Sequence, residues 1–215
     1  MALVTEQPPR HPRRPALFGK AAMESRGGAP DPAALAEAAH ATATALVERG
    51  RASRDAATSR RLVALVDDHG LDTVAELWAD RPARSLPGVL WRVYALREWV
   101  RRSPEDASRD FQAGCAVAAV PRVVAGVAEP PTPETLRALA DAVLSGVFDG
   151  DLAVALERAA AFCRVVAAGR SHRADDVEAY DDSAASLLTR RSASLLRTAE
   201  DLEASAALWR THELV

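Results

Sequence analysis

The sequence is poor in the residues and motifs from which catalytic and metal sites are usually recognised. Its 215 residues include only two cysteines and five histidines. Neither Cys115 nor Cys163 belongs to a CxxC or Cys/His ligand pattern. No GxSxG, HExxH, Walker A or GxGxxG string is present. We therefore expect a protein that is not an enzyme, with no cofactor, no metal site and no disulfide.

Long apolar runs and a strong net charge are also lacking. No apolar stretch approaches the roughly 18 residues of a membrane span, and the N-terminus has no apolar signal-peptide core. The net charge of −3 creates no general attraction to nucleic acid or anionic lipid. Lys20 is the only lysine, and the excess of Arg and Ala is typical of a GC-rich bacterial genome. We expect a soluble, cytoplasmic, bacterial protein that binds no membrane.

Aromatic residues make up only 5% of the chain, whereas the hydrophobic fraction is 48%, mostly Ala, Leu and Val. Ala and Leu are the strongest helix formers, and strands prefer aromatic and β-branched residues. The composition therefore predicts an all-α fold. Helix caps and apolar periodicity along the chain predict an irregular bundle of about seven or eight helices, ending in a long amphipathic helix.

Three regions are predicted from composition and helix signals. Residues 1–30 are rich in Pro, Gly and Arg and are predicted to be a disordered, weakly basic arm. Residues 31–170 are predicted to form the helical bundle, whose first helix ends at Gly50 and whose last helix ends at Gly169. Residues 171–215 are predicted to form a C-terminal helix that packs on the bundle or on a partner.

Capping patterns place further helix boundaries within the bundle. Ser85 or Leu86, before Pro87, predicts the start of a helix that reaches Arg102, and Thr132, before Pro133, predicts the start of another helix. This helix is apolar over most of its circumference, so we expect it at the centre of the core. Thr73 is predicted to cap a short helix before it. Residues 111–130 contain several prolines and glycines and are predicted to be the least regular part.

The clearest pattern in the sequence is a stripe of alternating large and small residues on the C-terminal helix. Its members recur at steps of three and four residues, which keeps one face of a helix against a neighbouring helix. That neighbour is either the chain's own bundle or another protein, including a second copy of this chain. We call this set the C-terminal stripe: Ala185, Leu188, Ser192, Leu195, Ala199, Leu202, Ala206 and Trp209.

Residues 60–100 suggest a different function. Their predicted order of helix, turn, short helix and third helix resembles the three-helix core of helix-turn-helix DNA-binding domains. The basic arm could add phosphate or minor-groove contacts. However, the link between the last two helices is longer than usual, and the third helix opens with apolar residues. The candidate DNA contacts are Arg13, Arg14, Arg84, Ser85 and Arg92.

The densest group of aromatic residues in the chain lies in the same segment. It consists of Trp78, Trp91, Tyr94 and Trp99. Core packing is one interpretation, because these rings can bury much apolar surface. The other is a ligand pocket or protein-binding surface with Arg92 and Arg97 at its rim.

These patterns together predict a non-catalytic helical protein that acts through protein–protein contacts, in a regulatory or scaffolding role. The C-terminal stripe is its predicted contact element, for a protein partner or for self-association. A helix-turn-helix-like DNA-binding regulator is the alternative.

Overall fold

The computed structural model describes residues 31–53, 56–64, 71–118, 124–126 and 131–214. This part of the chain is all-α and contains no strand, which confirms the predicted fold class. The arm predicted over residues 1–30 lies outside it. The eight helices are α1 (Pro32–Ser53), α2 (Ala56–Val63), α3 (Leu71–Trp78), α4 (Leu86–Arg102), α5 (Pro104–Cys115), α6 (Pro133–Asp149), α7 (Leu152–Glu178) and α8 (Asp182–Arg210).

Two predicted helix starts are confirmed, and each depends on a capping hydrogen bond between residues close in the chain. The backbone N–H of Gly88 donates to the Ser85 hydroxyl at 3.3 Å, so Ser85 caps α4. Thr132 caps α6 in the same way. The prediction for Thr73 is wrong, since α3 already begins at Leu71 and Thr73 lies within the helix.

The core surrounds α7, which contacts α4, α5, α6 and α8. Many of its residues are alanines, whose small side chains allow neighbouring helices to come close on several sides. The predicted central helix α4 also contributes to the core, but its outer flank is only half buried. None of the described helices is both long and apolar enough to cross a membrane. The buried residues of α7 include Leu152, Leu156, Ala159, Phe162, Cys163, Val165 and Val166.

Two predicted helix ends are wrong, and both were placed at glycines. Helix α1 passes through Gly50, and α7 passes through Gly169 to Glu178. Each glycine lies where another segment comes too close for a side chain. A Cβ atom at Gly50 would lie 2.7 Å from the Cβ of Phe148, and one at Gly169 would lie 1.8 Å from the carbonyl oxygen of Asp110. The boundary predicted after residue 170 consequently falls inside α7.

Helices α5 and α7 cross with their backbones in direct contact. Gly114 of α5 faces the backbone of Val165, and a Cβ at Gly114 would lie 1.9 Å from that carbonyl oxygen. Gly169 makes the corresponding close approach from α7. The segment predicted as the least regular from residue 111 is helical up to Cys115, and Gly114, which makes this crossing, lies in the last turn of α5. The crossing also holds Asp110 of α5 beside α7.

A candidate binding groove between α4 and α8

An open groove of about 760 Å³ lies between α4 and α8, with residues of α5 and α7 forming its floor. Outside the groove lining, Arg84, which precedes α4, donates to Asp201 of α8 at 3.1 Å. The lining residues of α8 run from Leu188 to Thr198. At 1.5 Å per residue, this wall is roughly 15 Å long.

The apolar part of the groove comes from both walls. Trp91, Leu96 and Trp99 line it from α4, and Leu188 and Leu195 line it from α8. All five side chains are half buried, so each keeps some surface towards the solvent. Trp99 also touches the core, since its ring centroid lies 6.4 Å from that of the buried Phe162. The groove wall is therefore fixed by core packing.

The aromatic cluster predicted from the sequence is divided between two environments. Trp78 and Tyr94 are buried in the core, 3% and 1% exposed. The Tyr94 hydroxyl donates to the carbonyl oxygen of Leu62 at 2.5 Å, and burial raises the pKa of this hydroxyl well above its usual range. Trp91 and Trp99 instead line the groove. Core packing thus accounts for Trp78 and Tyr94, whereas Trp91 and Trp99 pack against the edge of the core and also line the groove.

The two arginines predicted at the rim of this cluster also differ. Arg92 lines the groove, and its Nη1 donates to the carbonyl oxygen of Gly88 at 2.9 Å. Arg97 is buried and donates to Asp141 at 2.5 Å. Arg97 lines a separate small cavity and does not belong to the groove lining.

A buried cluster of charges lies at the floor of the groove. The side chain of Asp110 is only 4% exposed and accepts hydrogen bonds from two guanidinium groups. Arg170 donates from Nε to Oδ2 at 2.7 Å, and Arg173 donates from Nη1 to Oδ1. The guanidinium of Arg170 also lies over the ring of Trp99, 4.8 Å from its centroid. One carboxylate therefore faces two cations.

The groove as a whole has an excess of positive charge. Its lining contains four arginines and two aspartates, namely Arg92, Arg170, Arg173, Arg191, Asp106 and Asp110. Asp106 forms an ion pair at 2.9 Å with Arg109, which lies outside the lining. The exposed Arg191 has no ion-pair partner within the described ranges. An acidic ligand is thus the electrostatic complement of this groove.

Most of the C-terminal stripe faces α7 of the same chain. Ser192 is buried, and its hydroxyl donates to the carbonyl oxygen of Ala167 at 2.8 Å. Leu188 and Leu195 lie at the edge of this contact and also line the groove, while Trp209 is half buried. The remaining stripe residues are at most 6% exposed: Ala185, Ala199, Leu202 and Ala206.

Two bidentate ion pairs connect α8 to α7. Arg164 donates to Glu203 at 2.7 and 2.6 Å, and Arg210 donates to Glu157 at 2.6 and 2.9 Å. The hydrogen bond from Arg210 lowers the pKa of the Glu157 carboxyl group. Exposed pairs of this kind usually contribute less than about 1 kcal/mol. Apolar burial along the stripe is therefore the main force that holds α8.

The candidate DNA contacts are not presented together on one exposed surface of the described chain. Arg84 is paired with Asp201, and the Ser85 hydroxyl caps α4. Arg13 and Arg14 lie outside the described residues. A recognition helix reads bases from an exposed first turn, whereas the first turn of α4 is buried at Leu86, Val89 and Leu90.

The charged floor of the groove was not predicted from the sequence. Its members are far apart in the chain, and Asp110 lies 63 residues before Arg173. One local signal was present. Asp110 occupies the apolar face of its helix, between Ala107 and Phe111, where an unpaired carboxylate would be costly. Such a position predicts a cationic partner, although it does not identify which arginine supplies it.

Reactive groups are sparse in the described part of the chain. Within it, no group of three His, Cys, Asp or Glu residues is placed to hold a metal ion. Burial raises the pKa of the Cys163 thiol to about 12, so little reactive thiolate exists near neutral pH. No protein-family model matches the chain, and neither curated proteins nor solved structures give a match. The groove is the candidate binding site of the described chain.

Proposed function

We propose that this protein is a non-catalytic regulatory or scaffolding protein that docks an acidic α-helix of a protein partner in the groove between α4 and α8. The supporting observation is the groove itself. Trp91, Trp99, Leu188 and Leu195 face an open space, and arginines surround it. Trp and Arg are the residues that most often dominate the binding energy of protein interfaces.

The shape of the groove suits a helix. Its two walls are themselves helices, and a third helix can pack its side-chain ridges between them. The 15 Å estimated for the α8 wall corresponds to about ten residues, or three helical turns. Small-molecule sites instead bury most of the ligand surface and are mainly apolar. This groove is open to solvent and lined by four arginines, which favours a larger, charged partner.

The contact element in this proposal is the groove-facing flank of α8. Leu188, Arg191, Leu195 and Thr198 follow one another at steps of three and four residues and all line the groove. Leu188 and Leu195 also belong to the C-terminal stripe, whose other members face α7. The helix therefore serves two neighbours, with its buried face towards its own bundle and its flank towards the partner.

A pair of synthetic peptides tests the proposal. Each is a stapled helix of twelve residues with the same leucine stripe, and its flanking positions are all Glu in one peptide and all Lys in the other. We expect the acidic peptide to bind the full chain at least about tenfold more tightly than the basic one, because only it complements the groove charge. Tryptophan fluorescence and calorimetry measure the affinities. Equal affinities would contradict the proposal.

A charge reversal on α8 provides a matched control within the chain. Arg191→Glu changes a residue that lines the groove, whereas Arg190→Glu changes its exposed neighbour outside the lining. We expect R191E to weaken binding of the acidic peptide about tenfold and R190E to change it less than about twofold. Equal losses in both variants would mean that the peptide responds only to overall charge.

The same preparations also test the DNA-binding alternative. A mixed-sequence duplex at low salt reports phosphate binding of any kind, because such binding is electrostatic. Helix docking predicts that the acidic peptide binds and that the duplex does not compete with it. Tight binding of the duplex without binding of the acidic peptide would overturn the proposal in favour of a DNA-binding function.

A further inference from the structure

The floor of the groove contains one unbalanced positive charge. Asp110 neutralises one of the two guanidinium groups that it contacts, so the cluster of Asp110, Arg170 and Arg173 carries a surplus charge of about +1. The cluster is shielded from water, since the Asp110 and Arg170 side chains are only 4% and 11% exposed. Electrostatic attraction is stronger there than at an exposed arginine.

Of the two arginines, Arg173 is the one that is available to a ligand. The guanidinium of Arg170 is covered by the ring of Trp99 and bonded to Asp110. Arg173 is more exposed, at 28%, and its hydrogen bond to Asp110 leaves from Nη1. A guanidinium has five N–H donors. The others on Arg173 have no carboxylate partner within the described ranges.

The position of Arg173 depends on the crossing of α5 and α7. Gly169 lets the backbone of Asp110 reach α7, and Arg173 follows Gly169 by one helical turn. Arg173 lines the groove, and its hydrogen bond to the Asp110 carboxylate holds the guanidinium there. Asp110 is accordingly a positioning residue, and Arg173 is the group that would touch a ligand.

We infer that Arg173 anchors one carboxylate of the docked helix, from a Glu or Asp side chain; this rests on the function proposed above. A single surplus charge balances a monoanion such as a carboxylate. The guanidinium fork also matches the two oxygens of a carboxylate, which gives short charge-assisted hydrogen bonds. The anchor fixes the register of the partner helix along the groove, whereas the apolar walls only hold its face.

A double-mutant cycle tests the anchor. A series of acidic stapled peptides, each with one Glu changed to Gln, is titrated into the wild-type chain and into Arg173→Gln. For one position we expect the Glu-to-Gln change to weaken binding about tenfold in the wild type and hardly at all in R173Q, because the pair is already broken there. In the control Arg190→Gln the same peptide change should still cost about tenfold. If every Glu-to-Gln change weakens binding to R173Q as much as it weakens binding to the wild type, the inference is wrong.

A measurement on the wild-type chain does not depend on how well the variant folds. The Nε–Hε NMR resonance of Arg173 should shift with the parent peptide and much less with the Gln peptide that weakens binding. If the acidic peptides bind but no Glu-to-Gln change weakens their affinity, the anchor is wrong while helix docking still holds. Absence of all peptide binding would instead overturn the proposed function. A shift of Arg173 with inorganic phosphate, without any preference between Glu and Gln peptides, would assign the site to a free anion and contradict a partner carboxylate.

Discussion

Replacing Gly114 or Gly169 by alanine is expected to lower the free energy of unfolding by about 3 kcal/mol. In each variant the new Cβ atom would lie within 2 Å of a backbone carbonyl oxygen, 1.9 Å from Val165 or 1.8 Å from Asp110. A backbone atom cannot move aside as a flexible side chain can, so α5 and α7 must separate and lose packing along their contact. Urea unfolding followed by circular dichroism measures the change.

Gly146→Ala is the matched control for these variants. Gly146 also lies inside a helix, α6, but its Cβ would meet only the Cβ of Ala155, at an ordinary distance of 3.4 Å. Alanine restricts the unfolded chain and favours helix, so we expect this variant to be about 0.5 kcal/mol more stable than the wild type. A similar loss of stability in G146A and G169A would show that the close crossing is not what requires glycine.

Asp110→Asn is expected to cost about 3 kcal/mol of unfolding free energy, because it leaves Arg170 and Arg173 without their shared carboxylate. Arg170 has little access to water, with 11% of its side chain exposed, so its charge cannot be rehydrated without disturbing Trp99. Breaking a buried ion pair on one side is among the most costly single changes in a protein. Denaturant titration at neutral pH measures the loss.

Asp106→Asn is the corresponding control, one helical turn away on α5. The Asp106 side chain is 63% exposed and pairs with the exposed Arg109. Its loss should change stability by less than about 0.5 kcal/mol. A second test combines Asp110→Leu with Arg170→Met, which removes both buried charges and should recover most of the lost stability. If D110N costs no more than D106N, the buried cluster does not fix the groove floor.

Local signals explain which parts of the fold could be predicted from the sequence. Ser85 and Thr132 cap helices through hydrogen bonds to residues three positions away, so a short sequence window contains the whole interaction. The predicted ends at Gly50 and Gly169 failed for the opposite reason. A glycine that ends a helix and a glycine that allows a close crossing look alike in sequence, because the crossing partner is distant in the chain.

The groove also depends on contacts between residues that are distant in the chain. The sequence grouped Trp78 with Trp91, but Trp78 is buried in the core whereas Trp91 lines the groove, and this difference comes from helices that are distant in the chain. The C-terminal stripe predicted that α8 has a packing face, yet a stripe does not specify whether α7 or another protein covers it. The neighbouring flank from Leu188 to Thr198 has helical spacing too, although polar residues interrupt it and hide the pattern.

Indole NMR resonances test helix docking most directly, because the described residues include all four tryptophans of the chain. Trp91 and Trp99 line the groove, Trp78 is buried in the core, and Trp209 lies outside the groove lining. On addition of the acidic stapled peptide to the isotope-labelled wild-type chain, helix docking predicts shifts of the Trp91 and Trp99 indole N–H signals, with those of Trp78 and Trp209 unchanged. If peptide binding shifts the Trp209 signal and leaves the Trp91 and Trp99 signals unchanged, helix docking in this groove is contradicted.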